Sequence, residues 1–155
     1  MIIALLDVNV LIALYDPNHP NHETAHRWFG RNRKRGWASC AITLNGCIRI
    51  LSSPAYPSFN TTPGEVISRL RTFCASPDHH FWAESVSLLD DELFRPLAIG
   101  GHQRITDIYL LGLAVRKNGA LATLDRSISL KAVIDARSEH LQLLGAAPRG
   151  DDSEA

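Results

Sequence analysis

The chain has 155 residues and a mass of 17.1 kDa, with 45% hydrophobic and 21% charged residues. That is one domain's length with enough apolar content for a core, which excludes a disordered chain and any need for a disulfide or metal staple. Sixteen cations balance sixteen anions, so the chain is no polycation, and a nucleic-acid site must come from local placement of charge.

Residues 2–6 form a short continuous apolar run ending at Asp7, which suits a strand buried on both faces of a parallel sheet. The run is too short for a membrane span and lacks the basic flank of a signal peptide. A helix is expected over residues 10–15, stopped by Asp16-Pro17, and another over 21–33 with Ala25, Trp28 and Phe29 on one face. Residues 37–42 read as a strand, and Thr43 as the cap of a helix running to Leu51. Thr62-Pro63 opens a helix with Val66, Ile67, Leu70 and Phe73 as its apolar stripe. A strand is expected at 80–83 and a short helix at 87–94. Residues 103–117 are apolar nearly all round, which marks a central helix, stopped by Asn118-Gly119. Strands are expected at 120–123 and 141–144. Residues 146–155 are small and acidic with nothing to bury, and read as a disordered tail to a domain spanning 1–145. Helices and strands alternate, which predicts an α/β sandwich around a mainly parallel sheet. Three cysteines (Cys40, Cys47, Cys74) contain no CxxC and cannot all pair. They are expected to be reduced, buried thiols of a cytoplasmic protein.

Ligands of such sheets bind beyond the carboxyl ends of the strands, and acids gather at those addresses. Asp7 follows the first strand, Asp125 follows the strand ending near Thr123, and Asp107 lies in the first turn of the central helix. For each acid alone, capping of a turn or helix is the simpler role. Together they raise an electrostatic problem, since two unit charges ~4 Å apart repel by about 4 kcal/mol at an effective dielectric of ~20. Protonation, an Arg or Lys partner, or a cation relieves it. Carboxylate oxygens are hard ligands suited to Mg²⁺, with Mn²⁺ as a substitute. Asn9 and Thr123 are neutral polar groups placed to orient a carboxylate or a bound water.

Three segments carry a resemblance to a known family. Leu5-Leu6-Asp7-Val8-Asn9-Val10-Leu11, Thr106-Asp107-Ile108-Tyr109-Leu110 with Leu113-Ala114, and Leu121-Ala122-Thr123-Leu124-Asp125-Arg126 resemble the acidic motifs of PIN-domain ribonucleases, specifically the VapC toxins of toxin–antitoxin pairs. Trp37 to Cys40, the run TLNGCIRIL from Thr43 to Leu51, and Ser52-Ser53-Pro54 are similar to a fourth VapC segment. The resemblance covers about residues 1–145. It implies a three-layer PIN-like α/β/α sandwich and a Mg²⁺-dependent endoribonuclease that cuts structured RNA such as tRNA or rRNA. A metal-activated water would attack phosphorus in line, leaving a 5′-phosphate and a 3′-hydroxyl. Asp7, Asp107 and Asp125 would hold the metal, supported by Asn9 and Thr123. The partners implied are RNA, a VapB-like antitoxin and a second copy of the chain in a homodimer, with no membrane.

One departure stands out. Many relatives carry a Glu near the start of the TLNGCIRIL helix, where this chain has Leu44 with Asn45 beside it, and no acid lies between Glu23 and Glu65. That leaves a site for one tight cation rather than two, and keeps open a catalytically weak module that binds RNA or antitoxin. Two other signals compete. His22-Glu23-Thr24-Ala25-His26 fits the HExxH helix of zinc proteases, but Phe29 and Asn32 stand where the extended form has Gly and His. Asp7-Val8-Asn9 is similar to the DxD start of haloacid-dehalogenase phosphatases, yet Asn9 cannot donate the proton that the second acid supplies. Arg31, Arg33, Lys34 and Arg35 read as a solvated helix end, with an RNA phosphate contact as the alternative. Arg49 and Arg126 are the better candidates for touching RNA or balancing the acids, and His79, His80 and His102 are expected at the surface or in loops.

Overall fold

The computed structural model describes residues 2–58 and 60–145; the expected tail at 146–155 lies outside them. Five strands, β1 (Ala4–Leu6), β2 (Trp37–Ser39), β3 (His79–Phe81), β4 (Ala120–Thr123) and β5 (Leu141–Leu143), form one sheet in the order β3-β2-β1-β4-β5. Every named pairing is parallel. Five helices connect and cover it: α1 (Val8–Tyr15), α2 (His22–Asn32), α3 (Ala41–Leu51), α4 (Pro63–Phe73) and α5 (Ile105–Arg116). This is the expected three-layer α/β/α sandwich, with the sheet wholly rather than mainly parallel.

Strand alternation divides the core. Ala4, Leu6, Trp37 and Ala122 face α1 to α4, while Leu5, Ala38 and Leu121 face α5 and the segments around Phe94 and Val133. With both faces covered, β1 and β4 are buried at every position, which is why they read as unbroken apolar runs. The α5 helix is buried at six of its twelve positions, as its all-round apolar sequence requires.

The differences from the expected elements are local. The α3 helix begins at Ala41, with Cys40 as its N-cap; Thr43 instead occupies the third helical position, where its hydroxyl accepts from Cys40 N at 3.1 Å. The strand expected at 80–83 is His79–Phe81, because the next residue, Trp82, turns into the core. The helix expected at 87–94 is a series of turns. Ser87 Oγ accepts from Leu89 N at 3.1 Å and Asp90 Oδ1 from Glu92 N at 2.9 Å. Such local side-chain bonds compete with helical ones, and Phe94 then bridges to Val133. The cysteines are free, but only Cys40 and Cys47 are buried; Cys74 is partly exposed. No helix among the described residues is long and apolar enough to cross a membrane.

Gly112 shows how closely the 82–104 segment is pressed onto α5. A Cβ there would lie 2.3 Å from Phe94 Cζ, inside any tolerable contact. Replacing a mid-helix Gly by Ala ordinarily stabilises by about 1 kcal/mol. Here overpacking, which costs roughly 1–3 kcal/mol, outweighs that gain. Gly112→Ala is expected to lower the midpoint of thermal unfolding, and Gly112→Ala combined with Phe94→Leu to recover part of the loss.

Candidate metal and RNA site

The pairing of β1 with β4 sets Leu6 opposite Ala122, so Asp7, just past β1, stands beside Thr123, the last residue of β4. Asp7 caps α1, and its Oδ1 accepts from Val8 N at 2.7 Å. Its Oδ2 accepts from Thr123 Oγ1 at 2.7 Å. The capping role and a ligand role coexist, because each carboxylate oxygen keeps a second lone pair.

Thr123 is the hub. Fully buried, it donates to Asp7 and accepts from Asn9 Nδ2 at 3.2 Å and from Asp125 N at 3.1 Å. Asn9 completes the link by accepting from Leu124 N at 3.1 Å. One hydroxyl thus fixes the side chains of Asp7 and Asn9 and the backbone that presents Asp125.

Asp107 projects from the first turn of α5. Its carboxyl is pushed up to about 6 by burial first, then by the charges of Asp7 and Asp125, with Arg104 pulling the other way. Asp7 is raised as well, mainly by burial, against the hydrogen bonds of Thr123 and Val8. Asp125 goes the opposite way: the Ser127 hydroxyl and N–H, at 2.5 and 2.8 Å from Oδ1, hold it below the ordinary carboxylate range, and Arg104 adds to this. The three acids therefore share one field. They do not form a closed chelate, since among the described residues no three His, Cys, Asp or Glu side chains stand close enough together to grip an ion. Seating one requires rotation of Asp107 or Asp125, both partly exposed. The donor set, all carboxylate oxygen with two further acids bearing on Asp107, fits a hard divalent cation.

A cavity of about 580 Å³ opens beside Asp7 and Asp107, lined also by Asn9, Asn45, Arg49 and Thr106. Arg49 is exposed there, whereas Arg126 is exposed beyond Asp125. Asn45 lines the cavity from α3, together with Ile42, Arg49 and Ile50, while Leu44 packs into the core shared by α1 to α4. The cavity thus has an amide where a further acid would add charge.

The competing signals find structural roles. His22 Nδ1 lies 2.7 Å from Ala13 O and His26 Nε2 3.0 Å from Leu14 O. Both rings tie α2 to the end of α1, and no third zinc ligand joins them among the described residues. The basic run ends in the Arg33–Arg35 turn just before β2, at the sheet edge opposite the acids. His80 and His102 are exposed, but His79 is a half-buried sheet residue whose Nε2 lies 2.7 Å from Ser39 Oγ. Sequence reasoning passed over Arg104 and Ser127, which contact Asp125. The only signal for them was their short spacing from Asp107 and Asp125.

A model of the PIN domain matches residues 4–134. Ribonuclease VapC44 of Mycobacterium tuberculosis is 44% identical over 141 residues, spanning 91% of this chain and 99% of that protein. Ribonuclease VapC39 of the same organism is 40% identical over 126 residues, 81% of this chain and 91% of that one. Among solved structures, M. tuberculosis VapC20, described as a sarcin–ricin loop cleaving toxin, superposes with a TM-score of 0.60 at 12% identity, covering 86% of this chain and 98% of its own.

Two outcomes follow from the charge arrangement. A carboxyl whose pKa is raised in the folded state contributes stability that is fully present below the unfolded value of 3.8 and lost as pH rises toward about 6. Asp107→Asn is therefore expected to melt roughly 2–4 °C above wild type at pH 7 in chelated buffer, and level with it near pH 4. An equal gap at both pH values would contradict the shift. Thr123→Val keeps the shape but strips the hub of its hydroxyl, and is expected to cost about 1–3 kcal/mol in denaturant unfolding, with Thr123→Ser close to wild type.

Proposed function

We propose, since the chain belongs to the PIN-domain family as a VapC ribonuclease, that it is the toxin of a toxin–antitoxin pair and a Mg²⁺-dependent endonuclease of structured RNA, tRNA or rRNA. Asp7, Asp107 and Asp125 hold the cation, and Mn²⁺ can replace it. The observation that carries this reading is Asp107, a carboxyl pushed up to about 6 by burial and two neighbouring acids at the mouth of an open cavity. Such a group is destabilised as an anion in the free protein and gains most from a cation.

The bound ion supplies Lewis acidity toward a phosphodiester and lowers the pKa of water. The chain does the positioning. Val8 N and Thr123 Oγ1 fix the plane of the Asp7 carboxylate. Asn9, tied to β4 through Thr123 and Leu124, stiffens the floor of the site. Arg49 on the facing wall of the cavity offers a planar cation to the phosphate next to the scissile one. With Asn45 in place of a further acid, the free site holds one cation, and a second depends on oxygens brought by RNA. The partners are RNA, a VapB-like antitoxin and a second copy of the chain, in the cytoplasm.

Asp7→Asn and Asp107→Asn are each expected to lower cleavage of a structured RNA panel by at least about 10²-fold while the circular dichroism of the fold persists. Excess EDTA should abolish wild-type cleavage, and Mg²⁺ or Mn²⁺ restore it. Cleavage undiminished in EDTA would overturn the reading.

A further inference from the structure

We propose that Arg104 is a built-in counter-cation of the acid cluster: it occupies the Asp125 arm in the metal-free protein and competes there with the divalent ion. The inference rests on the metal site proposed above and deepens it. Arg104 closes the His102–Arg104 turn and is the N-cap of α5, three residues ahead of Asp107. Its Nη1 lies 3.9 Å from Asp125 Oδ2 and donates to Ser127 Oγ. Ser127 meanwhile holds the other Asp125 oxygen through its N–H at 2.8 Å and its hydroxyl at 2.5 Å. One carboxylate oxygen is thus pinned by its own turn, and the other faces the guanidinium.

The geometry is that of a counter-ion ready to leave. At 3.9 Å the contact is Coulombic rather than a hydrogen bond. The Arg104 side chain is 41% exposed, so it can swing into water at little cost. Among the described residues, no other Lys or Arg forms an ion pair with Asp7, Asp107 or Asp125. A guanidinium and a dication at Asp125 Oδ2 repel one another, so the two compete for that oxygen. Binding of the ion therefore displaces Arg104, and the work of displacement weakens the apparent affinity of the site.

The test is Mn²⁺ binding alone, by titration calorimetry and the paramagnetic resonance of free Mn²⁺, on the full chain without RNA. Arg104→Gln is expected to tighten binding roughly threefold to fivefold, the scale of a partly exposed ion pair. Arg104→Lys, which keeps the charge but loses the planar fork, should fall between the two. The advantage of Arg104→Gln should shrink as salt rises from about 0.05 M to about 0.5 M. A merely structural role would leave Mn²⁺ affinity unchanged or weaken it. Equal or weaker binding by Arg104→Gln, with binding abolished in Asp107→Asn, overturns the counter-cation and leaves the metal site standing. No Mn²⁺ bound by either wild type or Arg104→Gln overturns both.

Discussion

The parallel register of β1 against β4 is the constraint on which the site depends. Leu6 pairs with Ala122, so β1 ends one residue short of β4 and Asp7 comes to stand beside Thr123, the last residue of β4. The 2.7 Å bond from Thr123 Oγ1 to Asp7 Oδ2 joins residues 116 apart in the chain. A slip of β1 by one residue would turn Leu6 away from the α1 side of the core and separate the hydroxyl from the carboxylate. The apolar alternation that fixes the register for packing therefore also fixes the site.

That arrangement is held against electrostatic cost. Asp7 and Asp107 are both raised, chiefly by burial, with the charge of Asp125 adding to both and that of Asp7 adding further to Asp107. The fold offsets part of this with fixed dipoles, the Val8 N–H and the Thr123 hydroxyl at Asp7 and the Ser127 turn at Asp125, and with one partly exposed counter-charge, Arg104. The residual strain sits on Asp107. Strain concentrated at one group in an open cavity is a feature of sites shaped by ligand rather than by stability.

Much of this was legible in the sequence because burial writes itself into composition. The buried strands at 4–6 and 120–123 and the all-round apolar α5 needed only runs of apolar residues bounded by turn formers. The three acids were legible because each follows such a run, and the family motifs add their order. What was not legible depends on competition between local and long-range bonds. Residues 87–94 have helical periodicity, yet Ser87 and Asp90 capture backbone donors and Phe94 is drawn against Gly112. Thr43 has the chemistry of a cap, but the helix starts two residues earlier and uses it inside the first turn. Arg104 carried only its short spacing from Asp107, since a turn cation gains meaning when Asp125 arrives from β4. The sequence also leaves open how closely the acids approach: they share a field without closing into a chelate.

The most direct measurement is the titration of the Asp107 carboxyl by carbon-detected NMR in metal-free protein, repeated in Asp7→Asn and with saturating Mg²⁺. The account requires a midpoint at about 6 in the free wild type, a lower one when the charge of Asp7 is removed, and loss of that titration step when Mg²⁺ is bound. A carboxyl titrating near its ordinary value of 3.8, indifferent to both Asp7 and Mg²⁺, would mean that the acids do not share a field and would contradict the account.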